Sequence, residues 1–174
     1  MHLDLQPFLK NDVVALRPLD QLDFDALYGI VSDPLIWAQH QNKDRYTLKN
    51  FTAFFNESIA SNGALVILDA KTEKIIGSSR FNIINESMSA IEIGWSFLGR
   101  AYWGGHYNRV FKTLMVNHAL QHKKHVIFYV NLKNYRSQRA MEKLGARRMA
   151  FPEKPWVLKE DIGITYAISS PIED

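Results

Sequence analysis

Between Ile91 and Leu144 the hydrophobic pattern changes period from strand to helix and back again, and this change restricts the fold more than any other feature. From Ala90 to Leu98 apolar residues alternate, with Ile91, Ile93, Trp95 and Phe97 on one face and Glu92, Gly94 and Ser96 on the other. A helical stripe follows over about Asn108 to Gln121: Val110, Phe111, Leu114, Met115 and His118 or Ala119. His125 to Val130 then reads as a strand and Tyr135 to Leu144 as a second helix, with Asn134 placed to cap it and Gly145 just beyond its end.

The upstream half is built differently. Val13 to Leu16 is a short strand, and Leu22, Leu27, Ile30 and Val31 follow at helical spacing before the Asp33-Pro34 break. After a loop from about Ser32 to Tyr46, Thr47 caps a helix through about Ser61, with Phe51, Phe54, Phe55 and Ile59 facing inward. Ala64 to Leu68 and Ile75 to Ile84 flank a polar turn as a hairpin, and Ser89 to Leu98 continues it after the Asn85 to Ser87 turn. Two last strands lie near Arg147 to Phe151 and Ile162 to Ile168, joined by a loop holding Pro152, Pro155 and Trp156. Strands in succession followed by strand, helix, strand, helix imply a mixed α/β sheet flanked by helices. With no internal repeat and no linker rich in Gly, Ser or Pro, residues 1–174 are expected to form one domain.

The chain has no cysteine, which removes disulfides, thiolate metal sites and a cysteine nucleophile, and agrees with a cytoplasmic protein. Met1 to Lys10 lacks the pattern of an export signal, and no run of about 18 apolar residues suggests a membrane span. Charge is unevenly placed: residues 121–159 carry ten Lys and Arg against Glu142 and Glu153, while the remainder holds eleven bases and sixteen acids. A basic segment of this kind suits a phosphorylated cofactor or nucleic acid, or is simply a solvated face.

The turn Trp103-Gly104-Gly105-His106-Tyr107-Asn108 precedes the first of the two downstream helices. Glycines let backbone approach a ligand closely, and a helix's first turn offers unpaired amides with a partial positive charge, so this corner is a natural phosphate seat. Arg109 and Lys112 stand near the helix start with no acid beside them, which opposes the helix dipole unless an anion binds there. Each part alone has an ordinary explanation: Glu92 as an exposed strand carboxylate, Asn134 as a cap, Ser137 as a first-turn serine. His118 and His122 stand four apart on a helix, but no third ligand accompanies them, and no metal is expected.

Taken together, Glu92-Ile93-Gly94-Trp95, Tyr102-Trp103-Gly104 and the Asn134 to Gly145 run of Asn-x-x-Ser-x-x-Ala-x-x-Lys-x-Gly resemble the GNAT superfamily of acetyl-CoA-dependent N-acetyltransferases, particularly its RimJ/RimL-like branch. The resemblance implies a central, mostly antiparallel sheet of six to seven strands, splayed between the fourth and fifth, with about four helices. It implies acetyl-CoA as acyl donor and a primary amine, either a protein N-terminus or a small amine, as acceptor. Trp95, Phe97 and Leu98 would meet the pantetheine, Trp103, Gly104, Gly105, His106, Tyr107, Asn108 and Arg109 would enclose the diphosphate, and Asn134 and Ser137 would approach from the other strand. Trp37, His40, Tyr46 and Trp156 fall in loops that border the substrate groove in the family. His106 and Asn108 replace the glycine or alanine usual in the turn, although Asn occurs there in a subgroup. Met141 stands where a tyrosine often protonates the departing thiolate, which moves that role to Ser137 or leaves it unfilled.

An amine with a pKa near ~10 must lose a proton to attack, and Glu92 is the expected base, acting directly or through water. Amides near Trp95 to Phe97 are the expected oxyanion donors. Two other classes compete: a non-catalytic acyl-CoA sensor, and a basic RNA- or ribosome-binding module. No nucleic-acid motif or row of exposed aromatics supports the module. The acceptor's identity and the oligomeric state, including a homodimer, stay open at this level.

Overall fold

The computed structural model describes residues 3–84, 89–151, 153–155, 157–159 and 161–173. The Asn85 to Ser87 turn, Pro152 and Trp156 lie outside the described residues. One eight-stranded sheet runs in the order β1 (Leu9–Lys10), β2 (Val14–Pro18), β3 (Ala64–Asp69), β4 (Ile75–Asn82), β5 (Ala90–Leu98), β6 (His125–Val130), β8 (Ile164–Ile168), β7 (Arg147–Met149). Every neighbouring pair is antiparallel except β5 with β6, which is parallel. Among the described residues four α-helices complete the mixed α/β fold: α1 (Phe24–Val31), α2 (Leu48–Ala60), α3 (Tyr107–Leu120) and α4 (Tyr135–Leu144).

The sheet exceeds the expected six to seven strands by β1, whose two residues pair with Ala15 and Leu16. Two residues are too few to show a period, so only their partner reveals them as a strand.

The helices cover opposite faces. α3 and α4 pack on Leu16, Leu65, Ile67, Ile91, Ile93, Val126 and Phe128, while α1 and α2 bring Leu27, Val31, Phe51 and Phe55 onto Ala64, Val66 and Phe97. Phe51 is wholly buried, a contribution of roughly 1.5–3 kcal/mol from apolar area alone. Local signals set the helix ends: the Thr47 hydroxyl accepts from the Asn50 amide at 3.4 Å, Asn134 accepts from the Ser137 amide at 3.1 Å, and Gly145 adopts φ +84° beyond α4.

The alternation expected along β5 fails at Trp95, which takes φ +53°. Opposite it, β4 pairs Arg80 with Gly94 but Ser78 with Phe97, so β5 carries one extra residue in a bulge. Phe97 is thereby moved off the face of Ile91 and Ile93 and packs with Trp37 and Phe54 under α1 and α2. Near the same point the parallel ladder ends. β5 and β6 pair only through Ala90 with His125, Ile91 with Val126 and Glu92 with Ile127, and then part. This is the expected splay, between strands that count as fifth and sixth once β1 is included.

Candidate active site

The gap between β5 and β6 opens into a cleft of about 950 Å³, at the upper end of the size usual for small-molecule sites. Of the expected cofactor residues, Trp95, Phe97, Leu98, Trp103, Gly104, Gly105, Asn108, Arg109, Asn134 and Ser137 line it. Two do not: the Tyr107 hydroxyl donates to Asp69 Oδ2 at 2.8 Å, and His106 stacks on the Tyr107 ring at 5.0 Å. Their side chains are engaged away from the cleft, leaving only their backbone to serve it.

At the α3 end the geometry suits an anion. Gly104 has φ +72°, and nothing lies within 4 Å of a Cβ placed on Gly104 or Gly105, so the turn presents bare backbone. His106 occupies the N-cap without a side-chain cap and the first turn has no acid, so its amides lack a protein acceptor from that residue. Arg139 and Lys143, from the basic 121–159 segment, also line the cleft with Arg109, whose guanidinium donates to the Lys143 carbonyl at 3.1 Å. These donors fit a phosphorylated ligand.

Lys112, one helical turn beyond Asn108, also lines the cleft and is 7% exposed. Its ammonium lies 5.2 Å from the Phe128 ring centre, and burial alone lowers its pKa to about 8. Met141 forms part of the facing wall at 1% exposure and has no proton to give, whereas the half-buried Ser137 carries a hydroxyl there.

Glu92 does not itself line the cleft. It is 8% exposed, behind Gly94 and near Tyr129, both of which do. Asn82 donates from Nδ2 to Glu92 Oε2 at 2.9 Å. Burial raises the Glu92 pKa, opposed by that bond and by the charge of Arg80. Tyr129 is pushed up to about 12, by burial first and the Glu92 charge second. The exposed carboxylate is therefore excluded in favour of a desolvated one, on the face opposite Ile91 and Ile93 as the strand period requires.

Beyond Glu92 the cleft is walled by the loop between α1 and α2. Trp37 is 3% exposed, donates from Nε1 to the Val31 carbonyl at 2.8 Å, and lines the cleft with His40. His40 is lowered to about 4, by burial first and then by Arg45 and Arg136, so it is neutral at pH 7. Tyr46 is 38% exposed and does not line the cleft. The loop is tied to the start of α4 across the opening: Arg136 donates from its amide to Gln39 Oε1 at 3.0 Å and from its guanidinium to the Ile36 carbonyl at 2.8 Å. Its guanidinium also lies 3.9 Å over the Trp103 ring.

Sequence reasoning missed Arg45, Arg80, Arg136 and Tyr129. Arg80 left a signal, since Ser78, Ser79, Arg80 and Asn82 form a polar run inside an interior strand, where apolar residues are the rule. Arg45 and Arg136 left none, because their partners are more than five residues away.

A sheet splayed between two parallel strands, with an uncapped helix start on one side of the cleft and a buried carboxylate near the other, has the architecture of an acyl-CoA-handling transferase. The sequence profile of the acetyltransferase (GNAT) domain matches residues 14–147, and the chain belongs to that family, whose acyl donor is acetyl-CoA. Solved structures agree in fold. An acetyltransferase of the GNAT family from Bacillus anthracis is 17% identical, with a TM-score of 0.73 over 94% of this chain and 98% of that one. An acetyltransferase from Agrobacterium tumefaciens is 22% identical, with a TM-score of 0.72 over 94% and 95%. RimJ of Mycobacterium smegmatis, solved with CoA-disulfide, is 16% identical, with a TM-score of 0.71 over 94% and 86%. Among curated proteins none matches this chain.

Proposed function

We propose that this protein transfers an acetyl group from acetyl-CoA directly to a primary amine, a peptide N-terminus or a small amine, in the manner of the RimJ/RimL-like branch. The observation that carries this reading is the shared cleft: bare turn backbone and the uncapped α3 start at one end, Gly94 and Tyr129 beside the buried Glu92 at the other. The donor, when bound, supplies a thioester whose leaving thiol has a pKa of about 8.5, so it departs without strong acid help.

The chain's own residues supply the rest. Gly104, Gly105 and the first amides of α3 hold the diphosphate, with Asn108 and Arg109 beside them, and Asn134 and Ser137 form the opposite wall. Glu92 receives the acceptor's proton through a water at Gly94, since its carboxylate stands behind that residue. Its raised pKa brings it nearer the operating pH, which strengthens it as a base. Amides released from ladder register at the Trp95 bulge meet the developing oxyanion, a role worth roughly 3 kcal/mol per donor. Ser137 is the hydroxyl placed to protonate the leaving sulfur.

Free-thiol release from acetyl-CoA, measured across peptide N-termini and small amines, tests the proposal. Thiol release matched by acetylated amine is the expected result. CoA binding without turnover of any amine would make the protein a sensor, and salt-dependent RNA binding without CoA binding would make it a basic binding module.

A further inference from the structure

Arg45 and Arg136 bring positive charge to the end of the cleft beside Glu92, and among the described residues the Arg45 guanidinium has no hydrogen-bond acceptor. Arg45, in the loop between α1 and α2, lines the cleft with its guanidinium 4.2 Å over the Phe54 ring and 5.2 Å from that of Trp37. Among the described residues it makes no side-chain hydrogen bond and no ion pair. The acid whose charge reaches it is Glu57, an exposed residue of α2 that does not line the cleft. Burial, with a smaller push from Arg80, lowers its pKa to about 10, so it remains charged at pH 7.

Its neighbours add charge of the same sign. Arg80 is 8% exposed and stacks 3.6 Å over Trp95, a cleft residue, and its charge acts on both Arg45 and Glu92. Arg136 crosses the opening from α4. His40 contributes no negative charge, and no carboxylate is among the described residues lining the cleft. A guanidinium fork held over aromatic rings and lacking an acceptor is suited to take a carboxylate in two parallel hydrogen bonds. A polyamine or other polycation entering here would meet Arg45 and Arg136, with Arg80 stacked on Trp95 close by, and like charges in a partly desolvated site repel strongly.

We infer that the acceptor is an amine carrying a carboxylate on the same molecule, whose amino group is presented toward Glu92 while its carboxylate is seated on Arg45. This rests on the amine-transfer reading above and narrows it to free amino acids and to peptides with an acidic side chain near the N-terminus. Polyamines and other polycationic amines are excluded.

The test compares matched acceptors that differ only in carboxylate against carboxamide: amino acids and their amides, and short peptides with Glu or Gln in second position. For the wild-type protein kcat/KM is expected to favour the carboxylate member of one pair by about tenfold or more, the scale of a charge-assisted bond. Which pair responds separates the free amino acid from the peptide. Arg45→Met is expected to bring that ratio to about one, and Arg45→Lys to retain part of it. A packing role for Arg45 would change melting temperature in both variants and leave the ratio alone. Equal rates within every pair, a preference that survives Arg45→Met, or a polyamine as best acceptor overturns the inference while leaving acetyl transfer intact. If no amine is acetylated, the transfer reading itself fails. Calorimetric titration of the CoA-bound protein with each pair still decides the inference then, since equal affinity for carboxylate and carboxamide overturns it.

Discussion

The Glu92 carboxylate fills the space that a side chain at residue 94 would need: a Cβ built on Gly94 falls 3.0 Å from Glu92 Oε1. Glycine at 94 is thus favoured by the base rather than by the backbone, and alanine there needs the carboxylate to give way by a few tenths of an ångström. Gly94→Ala is expected to lower turnover by up to about tenfold, less than the roughly hundredfold cost of misplacing a reacting group by a full ångström. Affinity for CoA should stay within about twofold of wild type, which titration checks. Unchanged turnover would show that the position of Glu92 does not matter.

Replacing Glu92 separates chemistry from stability. Glu92→Gln is expected to reduce kcat by roughly 10²–10⁴-fold, the range for loss of a general base. The fold should survive, because Asn82 Nδ2 can donate to the Gln amide oxygen as it does to Oε2. The folded pKa of Glu92 is raised, so folding favours its protonated form more than the unfolded chain does. Its contribution to stability is complete below the unfolded value and is lost as pH rises through the folded value. Denaturant unfolding should therefore show the variant gaining on wild type as pH rises above 4.5.

Lys112 gives the opposite sign. Burial depresses its pKa to about 8 from 10.5, so the folded protein releases a proton that the unfolded chain keeps. Below about pH 8 the full cost of a buried charge is present, and it is relieved as pH rises toward 10.5. The difference is on the order of 3 kcal/mol. Lys112→Met should be more stable than wild type at pH 7, with the gap narrowing between pH 8 and pH 10, as followed by chemical denaturation without ligand. A gap that does not change with pH would mean Lys112 is solvated.

Gly104 tests the phosphate seat. At φ +72° a side chain costs roughly 1–2 kcal/mol of backbone strain, yet the space around the Cβ is open, so Gly104→Val should fold. Its bulk and altered backbone are expected to weaken CoA binding at least about tenfold in calorimetry. Wild-type affinity would remove the turn from the cofactor site.

By itself the sequence determined the order of strands and helices, the caps at Thr47 and Asn134, the left-handed Gly145 and the side of the strand on which Glu92 stands. These depend on hydrogen bonds and periodicities within a few residues, so neighbouring letters carry them. The tertiary structure decided what distant segments impose on one another. Packing against β4 places the bulge at Trp95, which moves Phe97 to the other face, and the ladder with β6 stops at Glu92. Burial from both sheet faces turns Glu92 and Lys112 from surface charges into desolvated ones. Arg45 lies on rings that belong to other segments, and Arg136 spans the opening to a loop a hundred residues earlier. No local pattern records such partners, because their energies arise only when the chain has closed around them.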